Sequence, residues 1–385
     1  MTESYVPAFV SAYEETALQD PGNPLSWYAQ AEAHRGRGDL DAWRKAIEVA
    51  LGMPHDSPEQ QWHRAWARMS LGDWSGWTDY EARALFANRR SSSTSMDDWV
   101  RWTHRLWDGT EDLTDKTILV LSEQGVGDNI QMLRFLPVLA DRAKEVIVSV
   151  YPRLVPLVQC NIGDRVTVMI QGVDKPFAFD RYTKLMSLPH LLGELPPFVP
   201  LRSPGRRKRL RPRPRRIRAG VCWAGNPDYG NDEQRSMPAA HLGPLLDRVD
   251  IEWHSLQVGK RAGDADQYPF MVRPWPPLMN FGETADLIAE LDVVVSVDTA
   301  VGHLAGCLGV PTYLLLPLCS DPRWGFGDLT PWYPSMQLVR QSVAGDWVRV
   351  VILLQQQLDA LVPPRDRLAT RDDQGIQPRV LSATR

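Results

Sequence analysis

Residues 291–306 (LDVVVSVDTAVGHLAG) constrain this chain more than any other stretch. The β-branched run Val293, Val294 and Val295 is what a strand buried on both faces requires. Asp298 and Thr299 then mark a turn, and Thr299 suits a helix N-cap. Ala300, Gly302, Ala305 and Gly306 give the following helix a small-residue face that other groups can approach closely. A strand running into such a helix start leaves backbone N–H groups and a partial positive charge pointing outward, from Thr299 through Ala300 and Val301 to Gly302. That is a phosphate site without a lysine loop. His303, one turn in, can add a donor to the same anion. On the strand and glycines alone, a plain strand–helix joint of an α/β core accounts for the pattern equally well.

The rest of the chain supplies the sheets such a joint needs. At 385 residues it has length for two or three domains. Residues 117–121, 145–150 and 166–170 read as strands, and a helix is expected from the loop after the first to about Lys144, with Ile130, Leu133, Leu136 and Leu139 on its apolar face. Gly125 and Gly127 form a tight turn in that loop. A dinucleotide fingerprint would need glycine where Ile130 stands, which argues against a nicotinamide enzyme. Asp128 falls at the helix start, facing the cleft, and reads either as a general base or as a simple capping aspartate.

A second set of strands begins at residue 217 and again near Trp253, each ending in a polar loop. Arg235 can bind a phosphate bidentately or be a solvated loop arginine. Gln257 and the Gly259 backbone are placed to read a base or ribose. Asp264 and Asp266 make a D-x-D, but no apolar strand precedes it, and no metal site is expected there. Residues 311–316 form a further strand, and residues 346–361 an amphipathic helix expected to return to the first sheet.

Before these sheets, residues 1–90 read as helical with a 34-residue repeat: Gly38-Asp39-Leu40 recurs as Gly72-Asp73-Trp74, and Trp43 as Trp77. That period is tetratricopeptide-like. Two copies are few for a free solenoid, so they are expected to stack on the adjoining α/β domain, with their tryptophans as core. A serine-rich loop (91–95) comes next. The densest charge run, 206–218, joins the two α/β halves and offers phosphate contacts to a polyanion, although no aromatic residues interleave to stack bases. Net charge is only -4 and points to no particular partner. Cys160, Cys222, Cys307 and Cys319 lack a C-x-x-C spacing and suggest buried thiols in a reducing cytosol. No signal pattern and no apolar run near the ~20 residues of a membrane span is present, so a cytoplasmic protein is expected.

The order strand, Asp298-Thr299, three residues, His303-Leu-Ala-Gly306 resembles the nucleotide-diphosphate site of the family 9 glycosyltransferases, the heptosyltransferase group, and more closely their relatives with tetratricopeptide repeats in front. Trp223-Ala-Gly-Asn226 and the loop at Glu123 and Gln124 fit the repeat-bearing branch, and segments 321–325 and 331–334 resemble aromatic loops that close the family's C-terminal domain. The resemblance implies an α/β GT-B fold: a helical region (1–90), an acceptor domain (91–205), a basic linker (206–218), a donor domain (219–345), a helix (346–362) and a disordered tail (363–385). It implies inverting transfer from a nucleotide sugar, with no metal or other cofactor. Asp128 would be the base and Glu123 the second candidate. Arg235, Gln257, Gly259, Asp298, Thr299, Ala300, Val301, Gly302 and His303 would hold the donor, a UDP-sugar by likeness to O-linked N-acetylglucosamine transferases. Gln124, Asn129, Arg206, Arg207 and Arg209 are acceptor-side candidates, for a glycan or protein hydroxyl or, through the basic run, a hydroxymethylated DNA base. A non-catalytic repeat scaffold is the reading from outside enzymology.

Overall fold

The computed structural model describes residues 20–87, 103–174, 178–206, 210 and 216–361. The serine-rich loop, Arg207, Arg209 and the tail from 363 lie outside them.

The described residues begin with α1 (Pro24–Gly36), α2 (Leu40–Leu51) and α3 (Pro58–Ser70). α1 and α3 start at prolines 34 positions apart, each behind a capping side chain: Asn23 accepts from Leu25 N, and Ser57 from Gln60 N. Proline suits this position because its missing N–H would have no helical partner. Gly38 and Gly72 both turn with φ of 77°, and Trp43 and Trp77 are both buried. The sequence period is thus a repeat of caps, turns and core positions. The second copy's second helix breaks into Gly76–Asp79, a 3-10 turn at Tyr80–Ala82 and Arg83–Ala87, which aims Tyr80 and Arg83 at the first sheet.

That sheet contains β1 (Thr117–Leu121), β2 (Glu145–Val150), β3 (Val166–Ile170) and β4 (Arg181–Lys184), all parallel, in the order β3-β2-β1-β4. The helix expected through Lys144 is two, α4 (Val126–Met132) and α5 (Leu136–Arg142), divided by a 3-10 turn at Leu133–Phe135. Pro137 has no N–H to return to the Leu133 carbonyl, so an unbroken helix cannot form there.

The second sheet holds β5 (Ile217–Cys222), β6 (Ile251–Ser255), β7 (Val293–Val297), β8 (Thr312–Leu316) and β9 (Met336–Arg340), parallel, in the order β6-β5-β7-β8-β9. Helices α6 (Phe281–Ile288), α7 (Ala300–Cys307) and α8 (Trp347–Leu361) accompany it. Val293, Val294, Val295 and Val297 of the central β7 are all 0% exposed, and burying side chains of this size contributes roughly 1.5–3 kcal/mol each.

Two boundaries differ from expectation. α8 does not return to the first sheet: Trp347, Val350, Val351, Leu354 and Leu358 join the second core with Val221 and Leu315. The basic run ends earlier than its charge suggests. Ile217 and Arg218 lie in β5, where buried Arg218 pairs with Glu252 at 3.0 Å and is spent inside the fold.

Strand order reverses between β1 and β4 and between β5 and β7. Crevices open beyond the strand C-termini at such points, and here the two face each other. Arg134 donates to the Trp332 carbonyl at 2.9 Å, Leu201 N to the Cys307 carbonyl at 2.8 Å, and one buried cluster takes residues from both sheets. The helical region packs on both halves. The Trp74 indole donates to the Pro189 carbonyl, and the Trp43 ring meets Phe326 at 4.5 Å.

Candidate active site between the two sheets

On the second half, β7 hands over to α7 through Asp298 and Thr299. Thr299 occupies the N-cap position, but its hydroxyl does not cap the helix; it meets Ser296 Oγ at 3.0 Å and Cys222 Sγ at 3.7 Å. The first intrahelical bond runs from His303 N to the Thr299 carbonyl, so the N–H groups of Ala300, Val301 and Gly302 precede it and are the helix's orphan donors. Arg235 lies nearby, its guanidinium over the Tyr229 ring and 3.2 Å from Asp232 Oδ1, with its charge acting on Asp298 and His303.

Asp298 accepts the Trp324 indole N–H at 2.9 Å. Burial, with the charge of Asp321 beside it, pushes its carboxyl up to about 6. His303 lies behind it, with Nδ1 2.8 Å from the Tyr333 hydroxyl and Nε2 3.8 Å from Asp298 Oδ1. Burial and the nearby Arg323 charge bring the imidazole down to about 4, so it is neutral at pH 7. In the tautomer where Tyr333 donates to Nδ1, Nε2 carries the proton and is the ring atom left for an anion.

On the first half, Asp128 is the third residue of α4. Its Oδ2 accepts the Gly125 N–H at 2.9 Å, closing the helix start. Its Oδ1 is 2.6 Å from Arg323, which crosses from the opposite half. Arg323 also grips Asp321 through Nε and Nη2, and donates to Gln131 Oε1 at 2.8 Å. Although burial works against the charge of Asp321, Arg323 holds it below the usual carboxylate range. Arg323 had no expected role in the sequence. Its signal was the Asp-Pro-Arg-Trp order, which puts a carboxylate two residues ahead of the guanidinium.

The two glycines serve contact, and neither supplies the conformational freedom expected of a tight turn. Gly125 is extended, with φ of -78°. A Cβ on Gly127 would stand 2.8 Å from His303 Cδ2 and 3.3 Å from Ala300 Cα, so glycine lets α4 touch α7. The left-handed residue is Gln124, at φ of 61°, a conformation costing about 1–2 kcal/mol for a residue with a Cβ.

Several candidates are occupied within the protein. Gln257 accepts from Trp223 N and Ala224 N and donates to the Ala224 carbonyl, which pins the β5 turn and leaves no amide edge for a nucleotide. Gly259 is exposed beyond it, with φ of 76°. Asn129 donates to the Glu123 and Gly125 carbonyls, and Gln124 pairs with Tyr80, so neither amide reaches outward to an acceptor. Glu123 is 2.5 Å from Arg83, as Asp128 is 2.6 Å from Arg323. Arg206 is exposed, and its backbone N–H is bound by Asp286. Of the D-x-D, Asp264 faces the Trp223 indole and Asp266 pairs with Arg273. All four cysteines are free; Cys222 and Cys307 are buried, Cys160 and Cys319 half-buried. Among the described residues no helix is long and apolar enough to cross a membrane.

Residues 271–340 match the model of Glycosyltransferase family 9 (heptosyltransferase). That segment carries Asp298, the α7 N-terminus, His303 and Arg323. Among individual proteins, the chain is similar to Protein FlbA of Caulobacter vibrioides, 24% identical over 375 residues, covering 87% of this chain. The chain spans 61% of the length of that relative. Solved structures similar to it include the E. coli heptosyltransferase WaaC with ADP (13% identity, TM-score 0.44, 64% of this chain and 100% of that one). Another is a family 9 glycosyl transferase from Veillonella parvula (10% identity, TM-score 0.42, 70% and 97%). A third is an O-GlcNAc transferase variant from Thermobaculum terrenum (10% identity, TM-score 0.28, 95% and 93%).

Proposed function

We propose that the chain is a GT-B enzyme moving a glycosyl group from a nucleoside diphosphate sugar to a hydroxyl, with inversion and without a metal ion. The observation that carries this reading is the meeting of two strand C-termini: the α7 N-terminus and Arg235 from one sheet face Asp128 from the other. The donor diphosphate lies on the N–H groups of Ala300, Val301 and Gly302, with Arg235 and His303 Nε2 as further donors. As the anomeric C–O bond breaks, its electron pair passes to the diphosphate oxygen, where fixed dipoles act on the developing charge. The acceptor oxygen attacks the opposite face of an oxocarbenium-like centre, and its proton passes to Asp128. Arg323 holds the Asp128 carboxylate in place to receive it. We read the donor as a UDP-sugar, the acceptor as a glycan or protein hydroxyl, and the helical region as two tetratricopeptide-like copies.

Thermal unfolding with UDP, ADP, GDP and NAD, each with and without magnesium, tests the proposal. A ligand at a hundred times its dissociation constant stabilises by about 2.7 kcal/mol. The expected result is a shift by one nucleoside diphosphate, independent of magnesium and reduced in Arg235→Ala. A shift by ADP alone would replace the uridine assignment, and no shift by any diphosphate would overturn the transferase reading.

A further inference from the structure

The loop at residues 122–125, between β1 and α4, is held from outside its own sheet. Gln124 sits in the left-handed region, and strained residues of this kind persist where their surroundings over-determine them. Here the surroundings come largely from the N-terminal helical region. The Tyr80 hydroxyl exchanges hydrogen bonds with the Gln124 amide, at 3.0 Å to Oε1 and 2.7 Å from Nε2. Tyr151 donates to the Gln124 carbonyl at 2.8 Å. One residue back, Arg83 grips Glu123 through Nη2 at 2.5 Å, and its other donors engage Glu81 and Ser187. Arg83 is 4% exposed, stacks under the Tyr80 ring, and shares Glu123 with the charge of Lys184. The loop continues directly into Gly125, whose N–H fixes Asp128.

We infer that Tyr80 and Arg83 are positioning residues for transfer: through Gln124 and Glu123 they set the loop that aims Asp128, which makes the N-terminal helical region a structural part of the active site. The inference rests on the transferase reading for its catalytic half and on contacts alone for its structural half. It also gives Glu123 a task in the loop, because a carboxylate between two cations anchors it.

The full chain carrying Tyr80→Phe, Arg83→Lys or Arg83→Met tests this in two arms. Hydrogen exchange compares residues 122–129 with residues 293–307. Nucleoside diphosphate release is followed with UDP- and ADP-sugars. Tyr80→Phe keeps the ring and removes only the hydroxyl, so exchange at 122–129 should rise about tenfold, as for one lost hydrogen bond, with 293–307 unchanged. kcat should fall, by up to about 100-fold for a misplacement near 1 Å, at constant donor KM. Arg83→Lys should recover part of what Arg83→Met loses. Unchanged exchange and kcat in Tyr80→Phe would overturn the inference, as would an equal rise in both segments, the mark of general destabilisation. If the unsubstituted chain releases no diphosphate, the transferase reading fails, while the exchange arm still decides whether the loop is held from the helical region.

Discussion

Asp298 and His303 sit 3.8 Å apart and carry opposite linkages to folding. Raising the Asp298 carboxyl from 3.8 to about 6 makes its ionisation in the folded chain harder by roughly 3 kcal/mol. Between those values the folded state binds the proton and the unfolded state does not. The contribution of Asp298 to stability therefore grows as pH falls through the window and is lost as pH rises through 6. His303 is displaced downward, from 6.5 to about 4. The unfolded state takes its proton first, so roughly 3 kcal/mol disappears as pH falls from 6.5 to 4. In the unsubstituted chain the two slopes largely cancel. Asp298→Asn keeps an acceptor for the Trp324 indole, removes the charge that Asp321 opposes, and leaves Arg235 and Arg323 facing His303. Urea unfolding followed by tryptophan fluorescence from pH 4 to pH 7 should find this variant the more stable at pH 7, by up to roughly 3 kcal/mol, with the advantage gone near pH 4. His303→Gln should show the reverse, gaining on the unsubstituted chain as pH falls. A constant stability difference for Asp298→Asn across the range would refute the idea that burial at the β7 turn perturbs this carboxyl.

Gly127→Ala places a Cβ 2.8 Å from His303 Cδ2; we expect a loss of about 1–3 kcal/mol by overpacking, read as a lowered Tm, together with a weaker nucleoside diphosphate shift as α4 and α7 part. Arg323→Met leaves Asp128 and Asp321 facing each other without their cation. The expected loss is about 3–5 kcal/mol, and the Asp128→Asn/Arg323→Met pair should cost less than the sum of the two single changes in a double-mutant cycle.

β1, β2, β3 and the β7–α7 joint were readable as sequence because each is a short apolar run closed by a polar turn. Strands buried in a parallel sheet carry that signature themselves. β4 (RYTK) and β9 (MQLVR) lack it. Tyr182 and Thr183 are buried because β4 pairs with β1 and packs beneath its neighbours, which four mixed residues cannot announce. The helix break is legible in Pro137, but the apolar period runs across it and masks it.

The candidate site divides in the same way. Asp298, Thr299, His303 and Asp128 stand at strand–helix joints, and their order along the chain already marked them. Tyr80, Arg83 and Arg323 did not stand out. Arg83 meets Glu123 from 40 residues away, and Arg323 meets Gln131 from 192. The sequence alone therefore determined most strands of the two sheets, the helix start after β7 and the helical repeat, all of which follow from local propensity and periodic burial. Only the tertiary structure decided how the side chains pair: Gln257 pinning a turn, Glu123 held by Arg83, Asp128 held by Arg323. Charge pairing across a cleft depends on distances between chain segments, and no local pattern of residues encodes them.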